Sequence, residues 1–74
     1  MDQENIPSQP IFRKFEIDAT ECHLQIDDRI TPETVIGKDF KIEKIVTAGC
    51  HGRVVAINFN ASNHTLIILI QEDG

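Results

Sequence analysis

The chain has 74 residues, 41% of them apolar and 26% charged, enough for one small core but not for two domains, and too apolar for wholesale disorder. Twelve acidic against seven basic residues give a net charge of -5, the wrong sign for gripping a phosphate backbone, so nucleic acid is excluded as a partner. The longest apolar run, 66–70, is far short of the roughly 20 residues a membrane helix needs, and the acidic start at Asp2 and Glu4 does not read as a signal peptide, which excludes a membrane partner and makes the cytoplasm the expected location.

Residues 1–11 hold two prolines, two glutamines, Asn5 and Ser8 around Ile6, with no period of 2 or 3.6 to bury a face. They are expected to form a flexible tail before a single domain at 12–74. Phe15 and Ile17 alternate with Lys14, Glu16 and Asp18, and Leu24 and Ile26 alternate with His23, Gln25 and Asp27, the pattern of two half-exposed strands. One turn of helix fits at 32–34, and Val35-Ile36-Gly37 is too short for a helix before Gly37 and Asp39 break it. Ile42, Ile45 and Val46 open the second half. In the strand expected at 54–59, Val55, Ile57 and Phe59 share a face. Asn60-Ala61-Ser62-Asn63 is turn chemistry that closes a hairpin. Residues 65–70 are nearly all β-branched or Leu without alternation, as in a central strand covered on both faces. No ten-residue stretch carries a helical apolar stripe, so the class is all-β.

Cys22, His23, Cys50, His51 and His64 are the soft ligands, and two Cys with two His suit a structural zinc ion when they converge. Neighbours on a strand point to opposite faces, so Cys22 with His23, and Cys50 with His51, do not both face one ion unless the chain bends. Separate thiols and imidazoles are the expectation, with no metal. The two Cys-His pairs repeat at an offset of 28, each with an apolar residue four positions after the Cys, a repetition that two similar half-barrels would give and that chance also gives in short matches. Nucleophilic catalysis would need a base and an orienting group around Cys50, and no Asp or Glu with His stands out, so the protein is not read as an enzyme. The glycines form no phosphate loop; Gly49 and Gly52 fit a tight turn with positive φ around Cys50-His51.

Phe40-Lys41-Ile42 is followed by Ala48-Gly49-Cys50-His51-Gly52-Arg53-Val54, with Gly52 eleven residues after Lys41. Over residues 38–71 this resembles the biotinyl and lipoyl carrier domains, in which a lysine at a tight hairpin precedes by eleven residues the glycine of Ala-Pro-x-x-Gly-x-Val. Gly49 stands where that family has proline, and Phe40 and Ile42 stand where it has Met, or Asp and Ala. The resemblance implies a barrel-sandwich hybrid, a small fold of two packed antiparallel sheets, with Lys41 in the position that takes covalent biotin or lipoate. Three functions are open: a non-enzymatic module that docks on another protein and needs no cofactor, a carrier modified on Lys41, and a zinc protein using Cys22, His23, Cys50 and His51.

Overall fold

The structure, a computed structural model, describes residues 10–73; most of the expected tail at 1–11 lies outside them. Six strands follow in order: β1 (Phe12–Asp18), β2 (Arg29–Ile30), β3 (Val35–Lys38), β4 (Ile45–Thr47), β5 (Gly52–Asn60) and β6 (Thr65–Glu72). All pair antiparallel, in a four-stranded sheet of order β1-β6-β5-β2 and a two-stranded sheet β3-β4. This is the all-β barrel-sandwich class expected, two packed sheets with the larger curled into a half-barrel and one short helical turn. Among the described residues no helix is long and apolar enough to cross a membrane. β6 lies between β1 and β5, and all of its residues are buried or half-buried, in keeping with its lack of alternation.

The core is aliphatic. Ile17, Ile30, Ile36, Val54, Ile68 and Ile70 are buried with Ala48 and Cys50, and Phe15, Leu24, Val46, Ile57 and Leu66 pack against them. Each fully buried aliphatic side chain contributes roughly 1.5 to 3 kcal/mol, so a core this small depends on every one.

Four expectations are corrected. The helical turn is a 3₁₀ turn at Ala19–Glu21 and not at 32–34, because the Asp18 carboxylate caps the Thr20 amide at 2.8 Å. At 31–34 the Thr34 N–H instead donates to the Thr31 carbonyl in a simple β-turn. The strand expected around Leu24 and Ile26 is irregular chain ending in a turn. Asp27 has φ +78, its N–H donates to the Val54 carbonyl, the Gln25 N–H donates to the Asp28 carboxylate, and Ile26 is left 56% exposed. Short acidic side chains that bond nearby backbone favour such turns over strands. Val54, the counterpart of Ile26 in the Cys-His repeat, is fully buried, so the repeat does not put its halves in equivalent surroundings. Finally, β5 carries a bulge: Val54 pairs with Ile70 but Ala56 with Leu69, leaving Val55 as the extra residue. The core face of β5 is therefore Val54 and Ile57, not Val55 and Ile57.

The tight turn expected of Gly49 and Gly52 falls to Gly49, where φ is +69. Gly52 lies in β5 between β2 and β6, and a Cβ there would collide with the Gln71 carbonyl and sit 3.1 Å from the Glu72 Cα. The turn at 60–63 forms as expected, with the Ser62 N–H on the Asn60 side-chain oxygen at 3.0 Å. It is tied to β1 by Glu16, whose carboxylate accepts from the Thr65 hydroxyl at 2.6 Å and from the side-chain amides of Asn63 and Asn60. These bonds, the Thr65 bond foremost, hold the Glu16 carboxyl below the ordinary carboxylate range, and the Thr20 hydroxyl and amide do the same for Asp18.

Two predictions follow from these contacts. Because the atoms that a Gly52 side chain would meet are backbone, Gly52→Ala is expected to lower unfolding free energy by about 1 to 3 kcal/mol; a change within about 0.5 kcal/mol in urea titration would show that β5 and β6 are not held so close at this point. The folded-state pKa values of Glu16 and Asp18 are depressed, so the stability they contribute is complete above the unfolded carboxylate range and is lost as pH falls through their folded values, below about pH 4. Melting temperature should drop on that acid limb, and Glu16→Gln should flatten it; an unchanged limb in the variant would remove Glu16 from the account.

Candidate functional site

Between β3 and β4 the chain reverses over residues 39–44. The Asp39 N–H donates to the Lys44 carbonyl at 2.8 Å, and the Glu43 N–H donates to the Asp39 carbonyl at 2.9 Å. Inside this loop the Asp39 carboxylate accepts from the Lys41 and Ile42 amides at 2.8 and 3.0 Å, an Asx turn that fixes the tip with a short acidic side chain. Glu43 takes the left-handed conformation, φ +56, that completes the reversal. The base of the hairpin is fastened to β1: Asp39 forms a bridge to Ile17, and the Phe40 N–H donates to the Glu16 carbonyl at 3.0 Å.

Lys41 thus stands at the tip of a tight hairpin, with an exposed side chain that makes no ion pair or side-chain hydrogen bond to any described residue. It borders a hollow of about 240 Å³ shared with Lys14, Phe15, Glu16 and Asp39, and its charge adds to the depression of the Glu16 pKa. Phe40, Ile42 and Ile45 are 41%, 58% and 62% exposed. Apolar side chains this exposed, close together on one small element, form a surface that water does not favour. Three of the four lysines in the chain, Lys38, Lys41 and Lys44, lie on the same hairpin. Against Asp39 and Glu43 they give it a net charge of +1 in a chain of -5.

None of the Cys and His residues borders the hollow beside Lys41. Cys22 is half-buried, its thiol 3.9 Å from the Leu24 carbonyl, and its neighbour His23 is exposed. Cys50 is buried and His51 is exposed. Burial pushes the Cys50 thiol up, and the Glu72 carboxylate adds to the shift, the direction opposite to that of an activated thiolate. His64 is exposed in the β5–β6 turn with φ +57, its ring edge-on to Phe59 at 5.5 Å between centroids. Among the described residues, no three His, Cys, Asp or Glu side chains gather where one metal ion would be held.

The exposure of these apolar side chains is not evident from the sequence, where Ile42, Ile45 and Val46 mark only the opening of the second half. The signal was Asp39 two residues before Lys41, the arrangement of an Asx turn, since turns between strands run over the surface. A scan against protein-family models and searches of curated proteins and of solved structures find no match to this chain.

Proposed function

We propose that the protein is a non-enzymatic module that docks on another protein through the β3–β4 hairpin. The observation that carries this reading is the interleaving of exposed Phe40, Ile42 and Ile45 with Lys38, Lys41 and Lys44 on an otherwise acidic chain. Burial of the three apolar side chains supplies the drive for association, and the lysines choose a partner surface lined with carboxylates. The hydrogen bonds around Asp39 shape the hairpin before it meets a partner, which lowers the ordering cost of binding.

A second reading is favoured by one observation. Lys41 sits exposed at the tip of a tight hairpin, and in a carrier its Nζ would form an amide with the carboxyl group of biotin or lipoate. The two readings separate on the intact mass of the protein purified from its own source. A mass equal to that of the sequence is expected for a docking module; a biotinyl or lipoyl adduct that vanishes in Lys41→Ala would establish the carrier.

Both side chains at the tip project away from the core, so Lys41→Ala and Ile42→Ser should each change stability by less than about 0.5 kcal/mol. With a photoreactive residue at position 42, a cross-link to one acidic protein of the source is expected, competed by unlabelled protein and not by the Phe40→Ser/Ile42→Ser variant. Equal competition by that variant would show that the hairpin is not the contact surface.

A further inference from the structure

Only two residue pairs join β2 to β5, and one of them sets Arg29 directly across from Arg53. Residues opposed in this way share a face with their Cβ atoms about 5 Å apart, and like charges so placed are destabilising. The chain has three arginines, and two of them face each other here. The fold does little to offset that repulsion. Arg29 has one ion partner, Asp73 at 3.3 Å, and the two side chains are 72% and 53% exposed, a geometry that contributes little. Arg53 makes no ion pair or side-chain hydrogen bond with any described residue. The other carboxylate nearby, Glu72, accepts from the Arg13 guanidinium. In the same register row Gln71 of β6 lies opposite Arg53, and Arg29, Arg53 and Gln71 line a hollow of about 220 Å³ together with Glu72 and Asp73.

We propose that this row is an oxyanion site that takes a phosphate-sized dianion between the Arg29 and Arg53 guanidinium groups, with the Gln71 amide as a neutral donor beside them. A planar guanidinium bonds two oxygens at once. One fork occupies the open edge of a carboxylate, while a tetrahedral phosphoryl group presents several such oxygen–oxygen edges, enough for two forks. At about 30 Å³ per water, the hollow holds about seven waters, room for such a group with part of its hydration. The dianion displaces the loosely held Asp73 carboxylate and cancels the repulsion that the bare sheet carries. The chemistry is the same for free phosphate and for a phosphoryl group on a larger molecule.

The test is a titration of the full chain followed by the Nε–H signals of Arg29 and Arg53 in nitrogen-correlated NMR spectra. Inorganic phosphate and O-phosphoserine are the phosphoryl probes, and acetate and sodium chloride are run at matched ionic strength. Saturable shifts of both arginine signals with the phosphoryl probes, and not with acetate or chloride, are expected. Tighter binding of O-phosphoserine assigns the site to a group on a larger molecule, and equal binding assigns it to free phosphate. Arg53→Gln should weaken binding at least about tenfold, and Arg53→Lys, which keeps the charge without the fork, by a smaller factor. Unchanged Ile17 and Ile68 amide signals in each variant confirm that the sheet is intact. Equal shifts with chloride or acetate would overturn the proposal, as would a phosphate response that survives in the Arg29→Gln/Arg53→Gln double variant.

Discussion

Ile17 fills the space that a side chain at position 37 would occupy. A Cβ on Gly37 would lie 2.6 Å from the Ile17 Cδ1, and the backbone there has φ +153 within the irregular step between Val35 and Gly37. Only glycine satisfies both conditions. This close approach is where the two sheets meet: β1 belongs to the four-stranded sheet, β3 to the two-stranded one, and Ile17 reaches across while its backbone bridges Asp39. A chain of this size has few buried side chains to share among its contacts, so the seam between its sheets rests on this one contact more than it would in a larger domain.

The hairpin inherits its position from that seam. With Asp39 and Phe40 bonded to β1, and with the Asp39 carboxylate holding the amides of the tip, the β3–β4 turn is mounted on the body at its base and braced from within. Its exposed apolar and basic side chains are therefore held out in a set arrangement. The arginine row crosses the four-stranded sheet near the other end of β1, through Arg29, Arg53, Gln71 and Phe12. Phe12 and Ile17 are five residues apart along β1, about 17 Å in a strand. The two surfaces differ in chemistry as well as place, one offering apolar contact with ammonium groups and the other planar forks suited to a phosphoryl group.

What the sequence made legible was local. The unalternating run of β6, the Asn-rich turn before it and the alternation of Phe15 and Ile17 each depend on residues within a few positions, and each appears in the structure as read. Lys41 reached a hairpin tip for a local reason too, since Asp39 turns the chain just before it. The features that were not legible depend on register or on distant partners. The bulge at Val55 follows from how β5 aligns with β6, and nothing in Val54-Val55-Ala56-Ile57 marks which residue is extra. Ile26 looked like a strand residue until Asp27 turned the chain to bond Val54, 27 positions later. The opposition of Arg29 and Arg53 exists only once β2 and β5 are paired, and Gly37 read as a breaker where it is the receptor for Ile17.

Hydrogen exchange at the Phe40 amide tests most directly whether the hairpin is held by β1 as a preformed surface. Its N–H is bonded to the Glu16 carbonyl outside any ladder, so its protection reports the seam and not the large sheet. Protection within about tenfold of the Ile68 amide in β6 is the expected result. Exchange of Phe40 at the rate of an unstructured peptide, with β5 and β6 still protected, would mean that the hairpin moves independently of the body and would contradict the account.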